Sequence, residues 1–290
     1  MLIVAIALEI CALIGYANLF RYLLHILAIR LRLRKVMAIT LSGLAVSHVF
    51  SAGGVGGWIV SYNALRREEV PHGLVFVAIA AQQFFNYVVL WVLFFVAMIF
   101  LVVTGASSIW AYATATLLIF LLLGLAAYGV YLYNHRTRMR RRVTQVARII
   151  NRLTRREVIS EDHIEGWLDN LFIGMRRMTT HHGAFRATFA YACMYWFFDM
   201  LCLWVTFFAF GYHMPLELLA IGYVIAYSVG TLAPTPSGLG AIEGLLVALY
   251  ISFDVPSAIA VAVVLTYRVI NFWLPIPPGL VTYVTIRQTR

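Results

Sequence analysis

Between Leu74 and Asn134 the chain carries no Asp, Glu, Lys or Arg. An uninterrupted apolar run of about 20 residues is long enough to cross a bilayer as a helix. This stretch has room for more than one such crossing. Composition agrees: 62% of the 290 residues are hydrophobic and 12% are charged, against about 45–50% and about 25% in soluble domains. A transmembrane β-barrel is excluded, because its strands alternate apolar and polar residues over about ten positions. The expected fold class is therefore all-α integral membrane, a polytopic helical bundle forming one transmembrane domain over residues 1–290. Cys11, Cys193 and Cys202 lie inside apolar runs without metal-ligand or redox spacing, so they read as packing residues. Met1–Leu8 has no basic leader, which argues against a signal peptide.

The net charge of +10 reads as topology, and no nucleic-acid partner is expected. Basic residues collect on the cytoplasmic side of membrane spans. A first span over about Leu2–Ile29 ends in Arg30, Arg32, Arg34 and Lys35. Two long spans cover about Gly73–Val103 and Ser107–Tyr133, the second ending in Arg136–Arg142. The polar block 135–182 is expected to be a cytoplasmic amphipathic helix pair. Val143, Val146, Ala147, Ile150 and Leu153 supply one apolar stripe, and a second helix covers about Glu161–Met178. These helices suit anionic phospholipid headgroups, and leave room for docking a partner protein or a second copy. A span over about Phe185–Phe210 and a last one over about Ser257–Ile286 complete the set. With this path, all but Arg21 and Arg268 of the 22 Lys and Arg residues fall inside. The expected location is a bacterial-type inner membrane, multi-pass, with the C-terminus cytoplasmic.

Two segments are too short for paired crossings and are interrupted in the middle. Val36–Arg67 is broken at Ser51-Ala52-Gly53-Gly54-Val55-Gly56-Gly57. Leu216–Ile251 is broken at Pro234-Thr235-Pro236-Ser237-Gly238-Leu239-Gly240. Proline removes a donor and clashes with the preceding turn, and glycine loosens the backbone. Broken backbone at membrane depth survives where protein or a water-filled cavity satisfies it. Two opposed re-entrant hairpins are therefore expected, one dipping from the cytoplasm and one from outside. Such breaks commonly form transport sites.

The intramembrane ionisable residues are Glu9, Arg21, Asp199, Glu243 and Arg268. A charge at the bilayer centre costs at least about 2.5–3.5 kcal/mol, so it is paired or lines a cavity. Glu243 falls in the first turn after Gly240, where the helix dipole favours a carboxylate. Either Glu243 and Arg268 pair to pin the second hairpin, or Arg268 faces a phosphate with Glu243 positioning it. The two are compatible. Arg21 and Asp199 read as side chains able to reach an interface, and Glu9 as a residue near the outer headgroups. His48 reads as a hydrogen-bonded packing residue, and Pro275, Pro277, Pro278 and Gly279 as a kink. No nucleotide, zinc or nucleophile motif is present in the sequence, and no cofactor is expected.

Pro234-Thr235-Pro236-Ser237-Gly238-Leu239-Gly240-Ala241-Ile242-Glu243 resembles the Pro-x-Pro-Gly-Gly-x-Gly-x-x-Glu signature of the flippase-like family that includes the transmembrane domain of lysylphosphatidylglycerol synthase. Gly53-Gly54-Val55-Gly56-Gly57 with Arg66-Arg67 is similar to its first glycine motif, and Tyr267-Arg268 followed by Phe272-Trp273-Leu274-Pro275 to its final-helix pattern. Ser237 stands where the family has glycine. The similarity begins at what would be the family's second helix. The resemblance implies handling of a phospholipid or lipid-linked headgroup between leaflets, at Glu243, Arg268, Gly238, Gly240, Thr235, Ser237, Gly53, Gly54, Gly56 and Gly57. The alternatives are a phosphatidylglycerol lysyltransferase or its membrane subunit, and a small-solute transporter. This sequence carries nothing resembling the synthase's soluble aminoacyl-transferase domain.

Overall fold

The computed structural model describes residues 1–50, 55–103, 131, 135, 140–141, 144–145, 161–180, 182–233 and 235–288. Gly53, Gly54, Pro234, the expected span 107–133 and the stripe 143–153 lie outside the described residues, apart from Tyr131 and the two positions 144–145. The described chain is helical almost throughout. Its elements are α1 (Leu2–Ile26), α2 (Leu33–Phe50), α3 (Val55–Arg66), α4 (His72–Val103), α5 (Glu161–Thr180), α6 (His182–Ala209), α7 (Leu216–Gly230), α8 (Ala241–Ser252), α9 (Ser257–Arg268), a π-helical turn (Val269–Trp273) and α10 (Ile276–Gln288). Four stretches are long and apolar enough to cross a membrane: Leu2–Ile26, His72–Leu101, Phe185–Ala209 and Ser257–Ile286. The protein is a polytopic helical membrane protein.

The central packing is α1 against α6. On α1 the buried residues Ala5, Glu9, Ala12, Tyr16, Leu19, Leu23 and Ile26 recur at alternating steps of four and three. That period keeps one seam turned toward a neighbouring helix. Small residues let the backbones approach: a Cβ added to Gly15 would sit 3.2 Å from Met194 Cγ. α6 meets α1 with Tyr191, Met194 and Tyr195, and its stripe Thr188, Ala192, Trp196, Asp199, Leu203 and Thr206 is buried in the bundle.

Both interrupted segments fold back on themselves. α2 and α3 run antiparallel, with Lys35 and Glu68 paired across their outer ends. Their inner ends touch: Gly57 N–H donates to Ser47 Oγ at 3.0 Å. A Cβ on Gly57 would lie 2.6 Å from the Gly43 carbonyl oxygen. α7 and α8 form the second hairpin, with Tyr250 laid over Gly222 and Ile242 over Gly230. Tyr250 OH bonds the Leu219 carbonyl at 3.1 Å.

The last span is not one regular helix. Pro275 has no N–H to continue an α-ladder, and the chain inserts a π turn, closed by Leu274 N–H to Val269 C=O at 2.9 Å. Pro277 and Pro278 then fall in the first turn of α10, where donors are not required. α10 packs along α2, with Gly279 against the Leu41 carbonyl and Ser42 Oγ 3.0 Å from Thr282 Oγ1. The expected kink is thus a one-residue offset that rotates everything before it.

Several basic residues gather at one end of the bundle. Arg67 donates to the Ile286 carbonyl at 2.5 Å, and Arg177 to the Leu27 carbonyl at 2.6 Å. α5 lies against the start of α4 at that end, its Trp167 carbonyl close to Gly73. Arg140 pairs with Glu165 of α5.

Candidate functional site

The second break is built from left-handed backbone. Ser237, Gly238 and Gly240 have φ of 45°, 71° and 83°. Glycine adopts this region freely, whereas an L-residue pays roughly 1–2 kcal/mol. Ser237 therefore sits in a conformation that suits glycine, and its hydroxyl takes up a contact that glycine lacks: Ser237 Oγ donates to the Ser47 carbonyl at 3.4 Å. Ser47 thus touches both breaks, accepting from Gly57 with its hydroxyl and from Ser237 with its carbonyl.

From Gly240 a polar chain runs into the bundle. Glu243 Oε2 accepts the Gly240 N–H at 2.7 Å. This is one half of a capping box, since Gly240 has no side chain to return the bond. Glu243 Oε1 accepts from Arg268 Nε at 2.6 Å. The Arg268 side chain is 4% exposed and that of Glu243 is 16% exposed. The guanidinium stacks 4.7 Å over the Phe272 ring, which also stacks with the His48 ring at 4.2 Å. His48 Nδ1 also meets the Phe272 carbonyl at 3.1 Å, as a packing role requires. A desolvated cation over an aromatic face contributes about 2 kcal/mol.

Asn271, on the π turn, joins two halves of the network. Its Oδ1 accepts from Arg268 Nη1 and Tyr227 OH, both at 3.3 Å. Its Nδ2 donates to Asp199 Oδ1 at 2.6 Å and approaches Glu9 Oε1 at 3.4 Å. Asp199 also accepts from Tyr267 OH, at 3.0 and 2.9 Å to its two oxygens, and from Tyr223 OH. Tyr227 and Tyr267 hydroxyls bond each other. Three carboxyl groups, from α1, α6 and α8, thus share one network with a single guanidinium, Glu243 directly and Glu9 and Asp199 through Asn271.

Two of the expectations from sequence require correction. Glu9 is 2% exposed and Asp199 0% exposed. Neither reaches an interface, because each falls on the buried stripe of its helix. Those stripes were the available signal: Glu9 lies four residues from Ala5 and three from Ala12. The sequence carries no site signal for Asn271, Tyr223 and Tyr227, and Tyr267 stands out only as part of the final-helix pattern. Of the expected site residues, the structure joins Gly240, Glu243 and Arg268 directly, and brings Ser237 and Gly57 to Ser47. Gly238 packs under Ile242 with the Gly230 carbonyl beside it. Thr235 Oγ1 is buried with no partner among the described residues. Gly56 lies in the first turn of α3. Arg21 is exposed and outside the network.

Two cavities flank the network among the described residues. An apolar one of about 360 Å³ is lined by Leu93 and Phe100 of α4, Phe197 and Met200 of α6, and Val224 of α7, with Trp196 and Tyr223 as its inner wall. Tyr223 therefore borders an apolar space with its ring and the carboxylate network with its hydroxyl. A polar cavity of about 50 Å³ lies at the first hairpin, lined by Tyr16, Thr40, Ser47, Ser61, Gln82 and Gln83. It has room for water.

A bundle of membrane-crossing helices, with two broken hairpins meeting beside buried charges, defines a membrane protein with a polar interior. Residues 1–279 match the family of the lysylphosphatidylglycerol synthase transmembrane region, and the chain belongs to that family. Among relatives, a UPF0104 membrane protein of Methanocaldococcus jannaschii is 23% identical over 291 aligned positions, covering 99% of this chain and 84% of the relative. A UPF0104 membrane protein of Methanothermobacter thermautotrophicus is 29% identical over 157 residues, 52% of this chain and 46% of the relative.

Proposed function

We propose that this protein moves a phospholipid, or a lipid-linked headgroup, between membrane leaflets. The observation that carries this reading is the juxtaposition at Tyr223. Its ring walls the 360 Å³ apolar cavity, while its hydroxyl belongs to the network that leads to Arg268. A phospholipid needs both surfaces at once, an apolar one for its chains and a polar one for its headgroup. Arg268 Nη2 is buried without a partner among the described residues. An unspent donor on a guanidinium suits phosphate, which accepts from arginine in a forked geometry. In the conformation described here Glu243 closes the site, so a headgroup reaches Arg268 by displacing that carboxylate or by moving α8.

The finer topology belongs to the same reading. The two folded-back pairs, α2–α3 and α7–α8, act as re-entrant hairpins entering from opposite faces. The end where Arg67, Arg177 and the C-terminal helix converge faces the cytoplasm, as the positive-inside bias requires. α5 then rests on the inner surface, against anionic headgroups.

The test is a leaflet-protection assay with purified protein in liposomes, run over a panel of zwitterionic, anionic and aminoacylated headgroups. Loss of leaflet asymmetry for at least one headgroup, abolished in Arg268→Gln, is the expected result. Unchanged distribution across the panel, with folded protein, removes the proposal. New aminoacyl lipid in extracts of expressing cells is the outcome that favours a transferase.

A further inference from the structure

Asp199 and Glu9 are both buried carboxyl groups, yet their surroundings differ. Asp199 receives donors from Tyr223, Tyr267 and Asn271, enough to hold an ionised carboxylate in a dry place. Glu9 has one long contact, Asn271 Nδ2 at 3.4 Å to Oε1, and its Oε2 has no donor among the described residues. Arg268 bonds neither oxygen of Glu9: its Nε goes to Glu243 at 2.6 Å and its Nη1 to Asn271 at 3.3 Å. The Glu9 and Asp199 carboxyl groups are neighbours around one donor: Asn271 Nδ2 lies 2.6 Å from Asp199 Oδ1 and 3.4 Å from Glu9 Oε1. Two carboxylates cannot bond each other, since both only accept. A carboxylic acid and a carboxylate can.

We propose that Glu9 of α1 and Asp199 of α6 form an exchangeable proton-binding site in the core of the bundle, with one proton held between the two carboxyl groups. Glu9 is the acid and Asp199 the carboxylate that its donors stabilise. The titratable and charged groups around the pair are consistent with one proton. Tyr195 and Cys202 share α6 with Asp199. Tyr223 and Tyr227 face the pair from α7, and Tyr267 and Arg268 from α9. Glu243 and His48 stand behind Arg268. Arg268 is the one group among these that holds a permanent positive charge. A route for exchange begins at the water-sized polar cavity by the first hairpin. Tyr16 lines that cavity, and its ring lies 5.2 Å from that of Tyr195, which neighbours both carboxyl groups. The proposal is independent of what the protein moves.

Infrared difference spectroscopy on the full chain in lipid nanodiscs tests it. Wild type at neutral pH should show a carboxylic-acid C=O band that shifts in D2O and bleaches as the pH rises. Glu9→Gln should remove the band, and Asp199→Asn should remove or displace it. Should either variant fold poorly, the wild-type band and its titration still decide. Three results overturn the proposal: no acid band in folded wild type, a band that never exchanges with D2O, or a band that survives unchanged in both variants. Loss of the wild-type band on adding sodium at fixed pH also overturns it, by putting a metal cation where the proton was placed.

Discussion

Replacing Glu243 with Gln leaves the Arg268 guanidinium buried without its charged partner. The pair is joined by a 2.6 Å bond, and the arginine side chain is 4% exposed. Breaking a buried ion pair from one side costs about 3–5 kcal/mol, because the remaining ion stays out of water. Gln keeps a carbonyl for the Gly240 N–H, so the loss reports on the charge and not on the cap. The 16% exposure of Glu243 points to the lower end of that range. Arg268→Met alone should destabilise by a similar amount. The double variant Glu243→Gln/Arg268→Met holds no buried unpaired ion, so it should lose clearly less than the two singles together, by about 2 kcal/mol or more. Unfolding of each variant in detergent micelles, followed by circular dichroism, gives the cycle. Additive single losses would refute the reasoning. The same double variant separates structure from function: it should recover stability and still fail to move lipid. Full activity in a stable double variant would assign the pair to the fold alone.

Four further outcomes are expected. Tyr267→Phe removes a donor from both oxygens of Asp199 and should cost about 1.5–3 kcal/mol in the same unfolding assay. Gly57→Ala places a Cβ 2.6 Å from the Gly43 carbonyl, which belongs to backbone and cannot step aside, so a loss of about 1–3 kcal/mol is expected. Gly244→Ala meets nothing within 4 Å and should instead gain about 0.5–1 kcal/mol, which makes it the control. In a cysteine-free background, a single cysteine at Gln288 should react with an impermeant thiol reagent only from the cytoplasmic face, and one at Gly211 only from the opposite face. The reverse pattern would invert the topology.

Much of the helical framework can be read from hydropathy. α4 and α6 begin and end within a few residues of the apolar runs at 73–103 and 185–210, because water and hydrocarbon sort whole segments. The second break is equally legible, since Pro and Gly act through local backbone chemistry; of the first, residues 51–54 lie outside the described residues, and Gly56 and Gly57 are helical. The Glu243–Arg268 contact was readable as two charges with few other partners at that depth. Glu9 was misjudged because distance from a chain end says nothing of depth, whereas its place on the α1 seam does. The tyrosine hydroxyls were invisible for a different reason. In an apolar helix a tyrosine has the same periodicity as phenylalanine, and only the fold shows that Tyr223 and Tyr267 point hydroxyls at one carboxylate while Tyr227 bonds Tyr267. Asn271 depends on the π turn, whose one-residue offset no periodicity count foresees.

The central claim is that a lipid headgroup passes the polar network between the two breaks. A phospholipid carrying a photoreactive group on its headgroup, incorporated with the protein into liposomes and mapped by mass spectrometry, measures this directly. Adducts on the 235–243 turn and around Asn271, competed by unlabelled lipid and lost in Arg268→Gln, are predicted. Adducts confined to the outward faces of α1, α4 and α6, with none near Glu243 or Asn271, would contradict it.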